Sequence, residues 1–303
     1  MTHAVIDIGT QSTNLLVRDA HGKDLQRTIT ATRLGESLHD TGVLSHEAMQ
    51  RTTDQIARHI QTAQQLGATH ITLTATAACR RARNTAEFLD LVARTTGLHV
   101  EVLSEKEEAQ LSFAGALSGL PHIDGSTLVI DIGGGSTEYI IGFDSPEMSA
   151  SIPFGALTAT SSHISRDPAR PEDLTNLIGA VADELEEVTR DIPALMTPGR
   201  VVGVAGTIVT VAAVEIGLAR FDDATLNGFS LTRDAAEDVF RTLATENHQQ
   251  RILNPGLPED RNDIIVAGCC ILVATMRRLH IDEIIVSTRN LLDGVIERGG
   301  SRS

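Results

Sequence analysis

The sequence predicts an α/β protein built from two related halves. The main evidence is a repeat, because Ile6–Thr13 reads IDIGTQST and Ile130–Thr137 reads IDIGGGST, with six of eight positions identical. A repeat of this kind indicates a duplicated structural unit. Short apolar runs that end at glycine turns alternate with amphipathic stretches, which is typical of strands followed by helices. The length of 303 residues suits two domains of roughly 100–200 residues each.

Composition restricts the class of protein. The chain is 41% hydrophobic with no tryptophan and one tyrosine, so its core has to be built mainly from aliphatic side chains. A net charge of −15 argues against a protein that binds nucleic acid or an anionic membrane through bulk charge. The three cysteines, Cys79 and the adjacent Cys269 and Cys270, predict small core residues rather than disulfides or metal ligands. No signal peptide or membrane-spanning run is evident, so we expect a cytoplasmic protein.

The first half predicts strands and helices in alternation. Its opening strand–turn–strand differs from a Rossmann start, in which the glycine turn leads straight into a helix. Ser45 and Ser104 mark the helix starts, and Gly67 marks the end of the first of these helices. The predicted strands are 4–9, 15–18, 25–33, 68–76 and 99–103, and the predicted helices are 45–66 and 104–117.

The second half predicts the same alternation. A turn-rich stretch at 120–125 predicts the domain boundary, which gives domains 1–122 and 123–303. The predicted strands and their turns are 127–143, 151–158, 201–204 and 284–287. The predicted helices are 171–192, one that ends at 217, 232–247, 262–280 and 291–298.

The glycine-rich turn of the second copy is the strongest functional signal. Gly133–Ser136 follows a buried strand, and consecutive N–H groups in such a turn form an anion-binding nest. Asp131 ends the strand and Glu138 follows the turn, and carboxylates of this kind hold hydrated divalent cations. The pattern predicts a site for phosphate and a metal ion. The simpler alternatives are a glycine-rich hairpin with a surface Asp and a solvent-facing Glu at a strand edge.

An arginine cluster follows the fourth predicted strand. Arg80, Arg81 and Arg83 lie where this strand gives way to a helix, which is where α/β folds place ligand contacts. The guanidinium group suits phosphate because its N–H groups form a fork. We therefore predict a ligand contact from at least one of the three, with Arg80 preferred. The alternative is a solvated face at the start of a helix.

Two further positions are candidates for the chemistry. Ser104 and Glu107 match a capping box, which gives Glu107 a structural role and leaves Glu108 as a candidate general base. Glutamates on helix surfaces are common, so a plain surface residue is the alternative. Gly206 and Thr207 lie between a strand and a helix, where the free N–H groups favour an anion. An ordinary tight turn is the alternative there.

Six motifs together resemble the exopolyphosphatase/guanosine pentaphosphate phosphohydrolase family of the actin-like ATPase superfamily. They are IDIGTQST at 6–13, ATAACRRARN at 75–84, SEKEEAQLSFAGAL at 104–117, LVIDIGGGSTE at 128–138, PFGA at 153–156 and GVAGT at 203–207. They occur in the order and at the spacing of the family, and they cover nearly the whole chain. The resemblance is to a short two-domain form, without the additional C-terminal helical domains of longer relatives.

The resemblance implies two actin-like (ribonuclease H-like) domains with an interdomain active-site cleft. It implies metal-dependent hydrolysis of the terminal phosphoanhydride of inorganic polyphosphate, with Mg²⁺ or alternatively Mn²⁺, in a homodimer. Hydrolysis of guanosine pentaphosphate (pppGpp) at its 5′-γ-phosphate is the alternative function. Glu108 matches the catalytic glutamate of the family, and Asp131 and Glu138 are the predicted metal ligands. The predicted substrate-binding residues are Asp7, Gly9, Gln11, Ser12, Arg80, Gly133, Gly134, Gly135, Ser136, Gly206 and Thr207.

Two positions depart from the family pattern. Gln11 stands where the family usually has Asn, and Leu292-Asp293-Gly294 stands where an Arg-Glu-Gly pattern is usual. Two other classes of function are compatible with the superfamily. A small-molecule phosphotransferase of the same superfamily would need an acceptor site, and the Glu-Glu-Ala block argues against it. A polyphosphate or alarmone sensor without catalysis is disfavoured by the presence of Glu108, Asp131 and Arg80.

Overall fold

The computed structural model describes residues 1–300, in which strands and helices alternate. The strands are β1 (His3–Ile8), β2 (Ser12–Arg18), β3 (Asp24–Ala31), β4 (His70–Ala75), β5 (Val100–Val102), β6 (Thr127–Ile132), β7 (Thr137–Gly142), β8 (Pro146–Ile152), β9 (Arg200–Val204), β10 (Ser230–Thr232) and β11 (Glu283–Val286). The α-helices are α1 (Leu38–Thr41), α2 (His46–Gln65), α3 (Ala77–Arg81), α4 (Thr85–Thr96), α5 (Glu105–Ser118), α6 (Ala156–His163), α7 (Pro171–Asp191), α8 (Ala205–Ile216), α9 (Asp223–Leu226), α10 (Arg233–Thr245), α11 (His248–Arg251), α12 (Ile265–Arg278) and α13 (Leu291–Gly300). Within the described range, none of these helices combines the length and the apolar character needed to cross a membrane.

The first compact unit comprises residues 1–115 and the segment that begins at Leu291. Its sheet has the order β3-β2-β1-β4-β5. The central strand β1 pairs antiparallel with β2 and parallel with β4, so Asp7 lies opposite Asn14 on one side and Thr74 on the other. Aliphatic side chains of β1, α2 and α4 form the core beside this sheet. This arrangement places the C-terminal ends of β1 and β4 side by side.

The second compact unit comprises residues 116–290. Its sheet has the order β10-β11-β9-β6-β7-β8, in which β6 pairs antiparallel with β7 and parallel with β9. The order β8-β7-β6-β9-β11 therefore repeats the order β3-β2-β1-β4-β5 of the first unit, with β10 added at the edge. The predicted duplication and the predicted fold class, two ribonuclease H-like units, are confirmed.

Helix α12 forms the centre of the second core. Its residues from Ile265 to Met276 are all buried, which explains the nearly unbroken apolar sequence. Cys269 and Cys270 lie within this stretch and are both buried, as predicted for core residues. The buried hydroxyl of Tyr139 shares a hydrogen bond of 2.7 Å with that of Thr275, which satisfies both polar groups inside the core.

Helix α13 packs on the first unit, which replaces the predicted division into 1–122 and 123–303. Leu291, Leu292 and Val295 are buried in one cluster with Val5 and Leu16 of the first sheet. Burial of apolar surface stabilises such a contact by roughly 25 cal/mol per Å². The sequence interpretation followed chain order alone, whereas this apolar face returns the end of the chain to the first unit.

A buried ion pair fixes the same helix. Asp293 is fully buried, and its Oδ1 atom accepts hydrogen bonds from Arg18 at 2.6 Å and Arg27 at 2.7 Å. Both arginines also contact Asp24. The departure from the family pattern at Leu292-Asp293-Gly294 therefore lies in a structural ion-pair cluster of the first unit.

The stretch predicted as a strand and turn at 151–158 divides differently. Strand β8 begins earlier, at Pro146, and ends at Ile152, and helix α6 begins at Ala156. The helix was missed because its Thr and Ser residues have modest helix propensity and it has no strong apolar periodicity. Gly155 allows it to approach the glycine turn, since a Cβ at Gly155 would lie 2.4 Å from the backbone N of Gly135.

Candidate active site

The first glycine turn lies at the C-terminal end of β1. The N–H of Gly9 donates to the carbonyl oxygen of Ser12 at 2.9 Å and closes the turn. The carbonyl of Gln11 accepts a hydrogen bond from the backbone N–H of Thr32 at 3.0 Å, so it points toward the segment that follows β3. Within residues 1–300, the N–H groups of Thr10 and Gln11 donate to no protein acceptor. Such groups are suited to bind an anion.

The side chain of Gln11 is an unusual feature of this turn. It is 5% exposed, and neither its amide nitrogen nor its amide oxygen has a hydrogen-bond partner in the part of the chain that the structure describes. Leaving a buried polar group unpaired costs about 1–3 kcal/mol. Such a cost is typical of a position where a ligand completes the hydrogen bonding. The predicted contact of Gln11 with phosphate remains a prediction.

The second glycine turn has the same closure. The N–H of Gly133 donates to the carbonyl of Ser136 at 3.1 Å. The first N–H groups of α6, from Ala156 and Leu157, donate to the carbonyls of Gly133 and Gly134, both at 2.9 Å. Across residues 1–300, no protein acceptor receives the N–H of Gly134 or of Ser136. Helix α6 thus binds the carbonyl side of the turn and leaves N–H groups for an anion.

Asp7 is a buried carboxyl beside the first turn. The hydroxyl of Thr74, on the neighbouring strand β4, donates to its Oδ1 atom at 3.0 Å. Desolvation, together with the negative charge of Glu108, raises the pKa of Asp7 to about 7, although the Thr74 hydrogen bond opposes the shift. Asp7 therefore changes its charge near neutral pH.

Glu108 and Arg80 form an ion pair that links α5 to α3. Nη1 of Arg80 donates to Oε2 of Glu108 and also to the carbonyl of Leu103, the latter at 3.1 Å. Burial raises the pKa of Glu108 above its ordinary value, and the positive charge of Arg80 opposes this increase. A shielded carboxylate that a fixed guanidinium orients is suited to act as a general base.

The neighbouring Glu107 has the structural role that the sequence predicts. Its Oε2 atom accepts hydrogen bonds from the backbone N–H of Ser104 at 2.9 Å and from the Ser104 hydroxyl at 2.7 Å. The N–H of Glu107 donates back to the Ser104 hydroxyl at 3.3 Å. This capping box orients the first turn of α5 so that Glu107 faces solvent and Glu108 is largely buried.

Asp131 and Glu138 are two acids directly opposite each other on β6 and β7. Side chains at such positions have Cβ atoms about 4.5–5.5 Å apart, and like charges there repel unless a cation lies between them. The Ser151 hydroxyl donates to Oε1 of Glu138 at 2.9 Å. The described chain has no group of three or more His, Cys, Asp or Glu side chains arranged to hold a metal. Mg²⁺ is usually held by one or two carboxylates plus water and substrate oxygens, so this pair fits it.

The junction between β9 and α8 has features that suit an anion, and the sequence predicts only Gly206 and Thr207 among them. Ala205 has a φ of 65°, a left-handed conformation that costs a non-glycine residue about 1–3 kcal/mol. The guanidinium of Arg261 packs on Gly206, since a Cβ there would lie 1.8 Å from Nη2. Among residues 1–300, no protein acceptor is hydrogen-bonded to this guanidinium, and burial lowers its pKa. A shielded cation at a helix N-terminus is suited to an anionic ligand.

Sequence reasoning missed Arg261. The pattern at 255–261 indicates a loop, and a single arginine that follows Glu and Asp forms no recognisable motif there. Its importance depends on contact with Gly206, which is far away in sequence. The side chain of the predicted residue Thr207 is buried against Gly268, so its methyl group serves packing.

The structure separates the three arginines of the predicted cluster. Arg80 pairs with Glu108, as described above. Arg83 instead donates to the carbonyl of Thr41 at 2.7 Å and lies against Gly42, which is a structural contact. Within the first unit, Asp7, Arg80 and Glu108 are brought together with the first glycine turn. Within the second unit, the Gly133–Ser136 turn and the Asp131–Glu138 pair share one hairpin.

Comparison with known proteins gives one consistent result. The model of the Ppx/GppA phosphatase family matches residues 15–299. Exopolyphosphatase 2 of Mycobacterium tuberculosis is 30% identical over 312 aligned positions, covering 96% of each chain. The guanosine-5′-triphosphate,3′-diphosphate pyrophosphatase of Aeromonas salmonicida is 28% identical and covers 97% of this chain and 58% of its own length.

Solved structures show the same relationship. An exopolyphosphatase of Cytophaga hutchinsonii is 25% identical with a TM-score of 0.89, covering 100% of this chain and 98% of the other. An Aquifex aeolicus member of the Ppx/GppA family is 28% identical with a TM-score of 0.82, also covering 100% and 98%. The family match, the relatives and the duplicated fold agree along the whole chain. The chain therefore belongs to the Ppx/GppA phosphatase family.

Proposed function

We propose that the protein is an exopolyphosphatase, which hydrolyses the terminal phosphoanhydride of inorganic polyphosphate and releases orthophosphate. The observation that carries the proposal is the placement of Glu108, a largely buried carboxylate held by Arg80 beside Asp7 and the first glycine turn. A general base of this kind is what an attacking water requires. The names of the relatives of similar length support the choice of polyphosphate.

Groups that bind anions supply the substrate contacts. The N–H groups of Thr10, Gln11, Gly134 and Ser136 are free of protein acceptors among residues 1–300 and bind phosphate oxygens in this proposal. Arg261 adds a positive charge at the N-terminus of α8. These local groups make a polyanionic substrate compatible with the net charge of −15.

The bond changes of the proposed reaction are simple. Glu108 accepts a proton from water while the water oxygen forms a bond to the terminal phosphorus. The bond between that phosphorus and the bridging oxygen breaks, and the bridging oxygen leaves with the shortened polyphosphate. Phosphoryl transfer depends mainly on positioning and on charge stabilisation. Arg80 orients Glu108 for this step through their ion pair.

Magnesium is part of the proposal. Asp131 and Glu138 would hold the ion, because they lie directly opposite each other and Mg²⁺ usually takes one or two protein carboxylates. When bound, Mg²⁺ neutralises charge on phosphate oxygens. The residues of the chain would still bind, orient and deprotonate as described.

Hydrolysis of pppGpp is the second candidate. The similarity to the Aeromonas salmonicida enzyme, which is named for a guanosine substrate, favours it. Both reactions cleave a terminal phosphoanhydride, so the same turns and the same base serve both. The choice between them depends on contacts outside the terminal phosphate.

Phosphate release from purified protein tests the proposal. Long-chain polyphosphate, tripolyphosphate and pppGpp are compared by kcat/KM with Mg²⁺ present, and Glu108→Gln is measured alongside Glu107→Gln as the matched control. We expect polyphosphate to give the highest kcat/KM, and we expect kcat to fall by about 10²–10⁴-fold in Glu108→Gln while Glu107→Gln keeps the activity of the wild type. A higher value for pppGpp would favour the second candidate. Absence of release from all three substrates would refute a hydrolase.

A further inference from the structure

Thr74 is a polar residue in the core of the first sheet that no sequence motif singles out. It lies directly opposite Asp7 across the parallel pair of β1 and β4, and its side chain is fully buried. A buried hydroxyl needs a partner, and here the partner is Oδ1 of Asp7 at 3.0 Å. Strand position alone would favour an aliphatic residue at this point. The hydrogen bond to Asp7 therefore explains why a hydroxyl-bearing residue occupies this position.

The hydrogen bond divides the two oxygens of the Asp7 carboxyl. Oδ1 accepts the hydrogen bond from Thr74. Oδ2 lies on the side of the glycine turn, since a Cβ built on Gly9 would be 4.0 Å from it. A carboxyl can rotate about its last bond, because that torsion has a broad preference. A fixed donor on one oxygen removes this freedom. The direction of Oδ2 is thus set by a residue outside the turn.

Other charged groups around Asp7 do not fix its orientation in this way. Glu108 approaches from α5 and repels the carboxylate. Cys79 approaches from α3 as a buried thiol, and Arg80 on the same helix is engaged with Glu108. Thr74 on β4 is the side-chain donor to Asp7 that the structure records within residues 1–300. The backbone N–H of Ile8 also hydrogen-bonds the carboxylate, so Thr74 supplies the side-chain part of the contacts that orient Asp7.

We propose that Thr74 is a positioning residue of the phosphate turn, whose hydroxyl holds Oδ1 of Asp7 and thereby keeps Oδ2 directed at the turn that receives the terminal phosphate. The identity of the anion in this inference rests on the proposed function. The orientation of Asp7 itself rests on the register and the hydrogen bond. The two parts can be tested separately.

Thr74→Val keeps the shape of the side chain and removes the donor. Loss of a hydrogen bond to a charged group predicts a fall in kcat/KM on polyphosphate of about 10- to 100-fold. Thr74→Ser restores the hydroxyl and should recover most of the loss. The matched control is Thr72→Val on the same strand, because its hydroxyl bonds to His3 at 3.0 Å, away from the turn. It should keep the kcat/KM of the wild type.

The pH dependence of stability supplies a measurement without substrate. The pKa of Asp7 rises from 3.8 to about 7 on folding, so its stabilising protonation is complete below about pH 4 and is lost as the pH rises through about 7. Thr74 hydrogen-bonds the ionised form, so its removal costs more at high pH. The Tm difference between wild type and Thr74→Val should therefore widen from pH 5.5 to pH 8.5.

Each outcome decides the inference. A reduced kcat/KM that Ser restores, together with a Tm difference that widens with pH, supports it. Unchanged kcat/KM in Thr74→Val, or a Tm difference that is constant with pH, overturns it. If the wild type releases no phosphate from polyphosphate, the proposed function fails and the Tm measurement alone decides the orientation of Asp7. If Thr74→Val does not fold, Thr74→Ala replaces it in both measurements.

Discussion

The two glycine turns share one backbone arrangement but have different neighbours. In both turns the first glycine donates to the carbonyl three residues later, at 2.9 Å for Gly9 and 3.1 Å for Gly133. The acid before each turn occupies the same position on its central strand. Opposite that acid on the antiparallel neighbour, the first unit has Asn14 and the second has Glu138. The turn geometry is therefore a property of the duplicated fold, and the adjacent side chains decide its chemistry.

The parallel neighbour differs as well. Thr74 lies opposite Asp7 and gives it a hydroxyl, whereas Val204 lies opposite Asp131 and gives it no polar group. Asp7 is thus a carboxyl with a raised pKa and with one oxygen held by a hydrogen bond. The second acid, with Glu138 opposite, is suited to a cation. The two units thus differ at both strand positions that flank the acid, and in the proposed function the first turn lies beside the base whereas the second holds the metal ion.

The largest expected effect comes from removing the base beside the first turn. Glu108→Gln keeps size and hydrogen-bonding capacity but loses the ability to take a proton. We expect kcat for polyphosphate to fall by about 10²–10⁴-fold with little change in substrate affinity. Single-turnover phosphate release and equilibrium binding of tripolyphosphate check the two parts. Turnover near that of the wild type would mean that the base lies elsewhere.

The second-largest expected effect comes from changing the residue opposite the acid of the second turn. Glu138→Asn gives the second turn the residue type found opposite Asp7. We expect Mg²⁺ affinity, measured by the Mg²⁺-dependent rise in Tm, to weaken by more than about 10-fold, because one of the two carboxylates proposed to hold the ion is lost and changes outside the ligands already cost about that much. Glu147→Gln on the exposed strand β8 serves as the control. Equal Mg²⁺ affinity in Glu138→Asn and wild type would contradict the assignment of metal to the second turn.

Much of this comparison could be predicted from sequence, because the turns need particular residues. A turn that bares its N–H groups requires glycine and a small hydroxyl residue, so both copies keep a recognisable motif. The capping box likewise assigned Glu107 a structural role and left Glu108 as the candidate base, because the spacing of the box is fixed by helix geometry. Local rules of this kind leave a signature in adjacent residues.

The remaining features depend on contacts between distant residues. Thr74 is an ordinary strand former, and only the register with Asp7 gives it a role. Arg261 acquires a role by packing on Gly206, and helix α6 is stabilised by the carbonyls of the turn rather than by its own propensity. Sequence periodicity contains no record of such pairings. For the same reason the return of α13 to the first unit was not foreseen.

The third effect concerns the pH profile of the first turn. Burial raises the pKa of Glu108 and Arg80 opposes the increase, so Arg80→Gln should raise that pKa further. Because the base must be ionised, the acid limb of the kcat profile should move to higher pH. The fall in kcat of Arg80→Gln relative to the wild type is then greater at pH 6 than at pH 9. Arg83→Gln is the control, since Arg83 contacts the carbonyl of Thr41 instead.

A profile of kcat against pH from 5 to 10 for both variants provides the measurement. If the acid limb stays in place in Arg80→Gln while kcat falls uniformly, Arg80 acts on the substrate alone and does not tune the base. If Arg83→Gln shifts the limb equally, the effect comes from net charge and not from the ion pair.

The smallest expected effect tests how each turn is held from behind. A Cβ at Gly155 would lie 2.3 Å from the backbone carbonyl carbon of Gly134, whereas one at Gly35 would lie 2.4 Å from the side-chain methyl of Thr10. A side chain can rotate away, but a turn backbone cannot do so without deforming the anion site. Gly155→Ala should therefore lower the free energy of unfolding by about 1–3 kcal/mol, and Gly35→Ala by less. Urea denaturation measures both losses, and an equal loss would mean that the two turns are supported with the same rigidity.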